Sequence, residues 1–298
     1  MAAGSIRLFR IHMKCSINFK ASALNQSHIL TQLEEIASLP DREIDLARTA
    51  LLIAAADYPE MNIERELFTL QRISGDVSSA LLENDDPLFC MNVLSEHLFD
   101  DLKFKGATQD YHDPRNGHLN KVLSRKRGNP ITLALLYVEV GRRLNIPLAG
   151  VALPGHFLVR HHEVSDYFVD PFYRGILLSV DECRDRMKRR VRGRLNWDDK
   201  YLDTIGKRKF ISRLLRSLKS SYLRRKDHDR ALMMIDFSLV LDPLSAPDHR
   251  DRGIINYRLG NTIQALDDLL YYLGNAAPGS DTDGVNQLVT HIRGRMTD

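Results

Sequence analysis

His156 and Asp170 are the two residues whose types and spacing could do chemistry. An imidazole takes and returns a proton near neutral pH, and a carboxylate beside it fixes its tautomer and orientation. His156 opens an alternating segment that runs to His162, with Phe157, Val159 and His161 on one face. His156, Leu158, Arg160 and His162 take the other face. Asp170 closes the next apolar segment, Asp166 to Asp170, just before Pro171. Neighbouring antiparallel strands over these segments would bring the two side chains together across 14 residues of chain.

Such a pair needs a nucleophile to perform covalent chemistry, and none is in reach. Cys15 lies in the tail, Cys90 in upstream helices and Cys183 beyond Asp170. Thr132 is nearby, but a hydroxyl in a helix needs special activation. Three cysteines so scattered also exclude a disulfide framework and a cysteine zinc site. His161 and His162 face opposite sides of a strand, and no Cys or acidic residue stands at metal-ligand spacing. No metal and no cofactor is expected.

The elements that would position the pair follow from periodicity and punctuation. Pro130 fits the first turn of a helix to Leu144, with Ile131, Ala134, Leu135 and Val138 as its apolar face. Strands follow over Pro147 to Pro154, His156 to His162, Asp166 to Asp170 and Ile176 to Ser179. Their short connections imply an antiparallel sheet with the helix on one face. Upstream, the turn dipeptides Asp113-Pro114 and Asn116-Gly117 punctuate residues 106–128. Tyr111, Leu119, Val122 and Leu123 predict that this stretch is packed. Residues 27–105 read as helices. Asp41 is the expected cap of an apolar helix ended by Pro59, a second stretch stops at Gly75, and Asp86-Pro87 opens a third. Residues 1–26 read as a flexible basic tail.

From Lys209 the chain is helical and repeats. Ala231-Leu232 recurs 34 residues later as Ala265-Leu266, and proline turns at Asp242-Pro243 and Ala277-Pro278 follow. This spacing resembles tetratricopeptide repeats, two units closed by a helix near Gly284 to Met296. The expected organisation is therefore α+β. A helical region spans 27–105, a core with a small antiparallel sheet spans 106–195, and helical repeats span 196–298.

The segment Arg127 to Arg160, followed by Asp166 to Phe172, resembles the transglutaminase-like superfamily. That superfamily starts a helix at Gly-x-Cys, ends it near Gly-Ile-Pro, and adds a His strand and an Asp-Pro. Here the helix ends at Asn145-Ile146-Pro147, and the His and Asp-Pro are His156 and Asp170-Pro171. The resemblance implies a papain/transglutaminase-like core, with His156 and Asp170 as vestigial catalytic residues. The position of its nucleophile is Pro130, after Gly128-Asn129. Proline cannot be a nucleophile, so the core is degenerate. A closer resemblance, over roughly residues 40–275, is to the bacterial SirB family, which joins such a domain to tetratricopeptide repeats. It rests on Tyr111, Asp113-Pro114, Asn116, Leu119-Asn120, Arg127-Gly128, Pro130-Ile131, Pro154 to Phe157 and Asp170 to Phe172. Gly-x-Pro is usual in that family, which implies a regulatory protein without a nucleophilic Cys.

Three functions remain in view. The first is a cytoplasmic, non-enzymatic protein that binds a protein or peptide partner. Its binding site would comprise Asp113, Asn116, Asn120, Arg127, Pro130, His156 and Asp170. The second is an enzyme of altered mechanism, in which His156 and Asp170 act on water or substrate. Arg127 or an amide near Pro130 would then stabilise negative charge. The third is a nucleic-acid-associated regulator. The net charge of +3 conceals the segment Arg184 to Lys226, with 17 Lys and Arg against four Asp. The simplest role for that segment is to hold the module junction against acidic surfaces of the body. No apolar run reaches the ~18 residues of a membrane span.

Overall fold

The computed structural model describes residues 26–81, 84–277, 280 and 282–297. Cys15, Pro278 and the basic tail up to residue 25 lie outside them. The architecture is α+β: helices pack around a small antiparallel sheet, and helical repeats follow.

Helix α1 (residues 26–38) buries Ile29 and Leu33. Helices α2 (Leu46–Ala55), α3 (Ile63–Ser78) and α4 (Pro87–Ser95) follow. Asp86 caps α4 by accepting from the Phe89 amide at 2.8 Å, with Pro87 in the first turn. The cap of α2 is Asp45, not Asp41: its carboxylate accepts from the Arg48 amide at 2.9 Å. Asp41 instead caps a helix far along the chain, described below. Gly75 does not stop α3, which continues to Ser78, because a glycine in a helix costs only about 1 kcal/mol against Ala.

The turn-rich stretch 106–128 is packed, as expected, and contains structure that its turn dipeptides conceal. Strand β1 (Lys105–Gly106) pairs in parallel with β2 (Arg127–Gly128), and helix α5 (Leu119–Arg125) lies between them. A Cβ on Gly106 would sit 2.6 Å from the Phe172 carbonyl oxygen, so only glycine lets β1 approach the turn that follows Asp170.

Helix α6 (Pro130–Arg143) is the centre of the core. Leu133, Ala134, Leu135, Leu136, Tyr137 and Val140 are fully buried, each apolar side chain worth about 1.5–3 kcal/mol of burial at full size. Five strands form the sheet, in the order β6-β5-β4-β3-β7, all pairs antiparallel. They are β3 (Leu148–Val151), β4 (Leu158–His161), β5 (Tyr167–Asp170), β6 (Ile176–Ser179) and β7 (Thr204–Ile205). The period-two pattern divides the sheet between two helices. Phe157, Val159 and Val169 join the core around α6. Leu158, Phe168 and Leu178 pack with Cys183 and Met187 of α7 (Val180–Val191).

Helices α8 (Lys207–Arg224), α9 (His228–Leu241), α10 (Ala246–Leu259) and α11 (Thr262–Asn275) form two antiparallel pairs, closed by α12 (Asp283–Thr297). Ala231 and Ala265 occupy equivalent, fully buried helix contacts in α9 and α11. Asp41 caps α8 by accepting from the Lys207 and Arg208 amides at 2.9 and 2.8 Å. Phe210 of α8 packs on Phe157, with ring centroids 4.5 Å apart. The first repeat helix thus belongs to the same core as the sheet. A second tie is the buried Asp57 carboxylate, which accepts from His118, Tyr222 and Arg230. Burial opposes its ionisation, but His118, Tyr222 and Arg230 outweigh that and hold its pKa below the usual carboxylate value.

Candidate functional site

Asp170 ends β5, and its side chain turns the chain. Oδ1 accepts from the Phe172 and Tyr173 amides at 3.2 and 3.3 Å, capping a single turn over Pro171–Tyr173. Oδ2 lies 2.8 Å from His156 Nε2 and accepts from Arg186 Nη1 at 3.4 Å. Every partner of this carboxylate is a donor, so His156 Nε2 carries the proton it shares with Asp170. His156 itself stands in the turn before β4 rather than inside the strand. Both residues are buried, and the other ring nitrogen, Nδ1, has no partner. Phe172 and Tyr173 hold the imidazole, each with its ring centroid 6.0 Å away.

Across from the imidazole lies the start of α6. Asn129 caps it: Oδ1 accepts from the Thr132 amide at 2.9 Å, and Thr132 Oγ1 accepts from the Asn129 amide at 3.2 Å. Pro130 follows in the first turn, where its missing N–H costs nothing. The first-turn amide of Ile131 has no carbonyl inside the helix to serve. Thr132 is no nucleophile. It is fully buried, and its hydroxyl donates to the Asn116 carbonyl at 2.5 Å.

Between these walls is a cavity of about 240 Å³, lined by Pro130, His156, Tyr111, His112 and one face of α8. The position expected for a Cys and the His therefore share one space. Asp170 stands behind His156 and does not line it. No cysteine of the described residues substitutes for the lost thiol. Burial, then Asp170, push the Cys183 thiol up to about 12, and burial with Asp85 and Asp86 raises that of Cys90.

Four residues expected at the site are elsewhere. Asp113 caps a turn at Pro114–Asn116 and accepts from Arg115 Nε at 2.8 Å. Burial opposes its ionisation, but Arg115 and Arg225 prevail and keep its pKa low. Asn116 is structural: Nδ2 donates to the Asp110 carbonyl at 2.9 Å, and Oδ1 accepts from Arg125 at 3.2 Å. Asn120 is buried on α5, away from the cavity lining. Arg127 is exposed on β2 and does not line the cavity either. Local structure takes up each of them: the turn at Pro114–Asn116 uses Asp113 and Asn116, helix α5 carries Asn120, and strand β2 carries Arg127. What periodicity alone did not single out is the α8 wall: Arg213, Arg216, Ser217, Ser220 and Ser221. Ser217 accepts from Asn129 Nδ2 at 3.1 Å, which ties that wall to the cap of α6.

Residues 65–216 match the transglutaminase-like superfamily, a match that covers half of the chain. The chain belongs to that superfamily. Residues 218–290 match the tetratricopeptide repeat, so the superfamily domain is followed by repeats. A UPF0162 protein of Xylella fastidiosa is 37% identical over 250 residues, 82% of this chain and 89% of that protein. Protein SirB1 of Salmonella typhimurium is 25% identical over 219 residues, 73% of this chain and 80% of that protein. These relatives place the chain in the SirB family. F-box only protein 21 of Mus musculus is 30% identical over 191 residues, 61% of this chain but only 29% of that protein. No solved structure matches the chain. Among the described residues no helix is long and apolar enough to cross a membrane, and no group of three or more side chains forms a metal site.

Proposed function

We propose that this transglutaminase-like protein is a non-enzymatic regulator that binds a protein partner through the cavity between α6 and α8. One observation carries the reading: the position of the superfamily's nucleophile is Pro130, which shares a cavity with His156, and among the described residues no cysteine lines that cavity. The tetratricopeptide helices supply a docking surface that begins at the cavity wall itself, on α8. The basic segment supports this reading to the extent that part of its charge is used within the chain. Arg186 reaches Asp170, and Lys219 reaches Asp248 and Asp251 at 2.9 and 2.8 Å. Arg208 donates to the Ala37 and Leu39 carbonyls at 2.9 and 2.8 Å. The free thiols Cys90 and Cys183 fit a reducing, cytoplasmic setting.

Affinity capture with the full chain tests this. Ser220 is exposed and lines the cavity, so Ser220→Trp fills the groove without touching the core. The wild-type chain retains a protein that Ser220→Trp loses. Identical retention by both chains refutes the reading.

A further inference from the structure

The α8 wall of the cavity is cationic, and the protein does not answer its charge. Arg213, Arg216, Ser217, Ser220 and Ser221 recur at helical spacing and face His112 and His156. No carboxylate lines this cavity. Arg213 Nε is buried without a partner. Burial, with Arg216 beside it, pushes the Arg213 pKa down, and burial with Arg224 does the same to His112. His156 Nδ1 is a further buried polar atom without a partner. Unpaired buried groups and adjacent like charges are both costly, and the positive end of the 14-residue helix α6 adds to the field. One anion between Arg213 and Arg216 would relieve the unpaired guanidinium and the repulsion of the two like charges together.

The geometry points to a carboxylate-binding site for an acidic peptide segment. We infer that Arg213 and Arg216 hold the carboxylate. This rests on the partner-binding reading above and names the chemistry of the partner. A peptide is favoured over a free anion because the cavity adjoins a second one of about 640 Å³ between α8 and α10. Arg216 and Ser220 line both. Along that groove Lys219 is paired with Asp248 and Asp251, and Arg250 with Asp251 at 2.7 Å. Arg224, the groove's other cation, is exposed to solvent, so the buried unanswered charge lies at the His156 end, where one carboxylate would sit, while an extended chain fills the groove. The chain's own tail does not suit the site: up to Lys20 it carries Arg7, Arg10, Lys14 and Lys20 and no acid.

Fluorescence anisotropy with the full chain at physiological ionic strength tests the inference. The probes are labelled hexaglutamate with an amidated C-terminus, a neutral Gly-Ser hexapeptide with a free C-terminus, and the same neutral peptide amidated. Tighter binding of the first probe than the third assigns the site to an acidic side chain. Tighter binding of the second assigns it to a terminal carboxylate. Arg216→Gln, on an exposed position, weakens the bound probe about tenfold or more, the scale of a charge-assisted hydrogen-bonded pair. Arg189→Gln, in the basic run but outside the cavity, leaves it unchanged. Equal binding of all three probes overturns the inference. So does equal weakening by Arg189→Gln, or a DNA duplex that displaces the probe and itself depends on Arg216. If the probes fail while Ser220→Trp still loses its captured protein, the carboxylate chemistry is wrong and the docking reading stands. If both fail, both fall.

Discussion

Pro130→Cys, made with Cys15→Ser, gives the chain a thiol whose alkylation by iodoacetamide inflects at least about one pH unit below an ordinary cysteine. An ordinary cysteine, with a pKa of about 8.5, slows about tenfold for each pH unit below that value. Two features of the fold cause the difference. The new side chain would stand in the first turn of a 14-residue helix, where unpaired amides and the helix dipole favour a thiolate. It would also share its cavity with His156, whose Nδ1 has no partner. A thiolate at such a position has a pKa of roughly 3.5–7.5. The native thiols do not obscure the measurement, since Cys183 is pushed up to about 12 and Cys90 is also raised. Adding His156→Ala moves the inflection back toward an ordinary thiol. An inflection near 8.5 with or without His156 would show that the cavity is not a nucleophile site whose Cys was lost.

Asp170→Ala destabilises the chain by about 3–5 kcal/mol in urea denaturation. The carboxylate is fully buried and accepts from His156, Arg186 and the Phe172 and Tyr173 amides. Truncation leaves a partly buried guanidinium without its counter-ion and uncaps the turn that seats Phe172 against Gly106. His156→Ala costs less, about 1.5–3 kcal/mol, because three donors still serve Asp170. The order matters for function: His156→Ala is the variant that probes the cavity, whereas Asp170→Ala probes the fold. A loss below about 1 kcal/mol for Asp170→Ala would mean that the pair does not hold the two strands.

The fold was legible wherever sequence period and burial coincide. The alternation Phe157, Val159 against Leu158 marks a strand, and the structure buries those side chains against α6 on one face and α7 on the other. The 34-residue recurrence of Ala231 and Ala265 marks repeats because both alanines must let neighbouring helices approach. Local punctuation was less reliable. Asp41 and Asp45 both precede α2 at cap-like positions, and only tertiary structure decides that Asp41 serves α8. At the site, the His156–Asp170 pair followed from strand adjacency. Asp113, Asn116 and Asn120 did not join it, because Asp and Asn also build caps and turns. The α8 wall was hidden inside a run of basic residues. Charge counting sees that Arg208, Arg213 and Lys219 share one sign. It cannot see that Arg208 is bound to carbonyls, Lys219 to carboxylates, and that Arg213 Nε is left without a partner.

The central claim is that the His156 cavity binds a partner and does not transform it. The direct measurement is the mass of the captured partner after prolonged incubation with the wild-type chain, with His156→Ala and with buffer. One unchanged mass is expected in all three. A cleaved or modified partner that appears with the wild-type chain and not with His156→Ala would contradict it, and would make the protein an enzyme that works from His156 and Asp170 without a thiol.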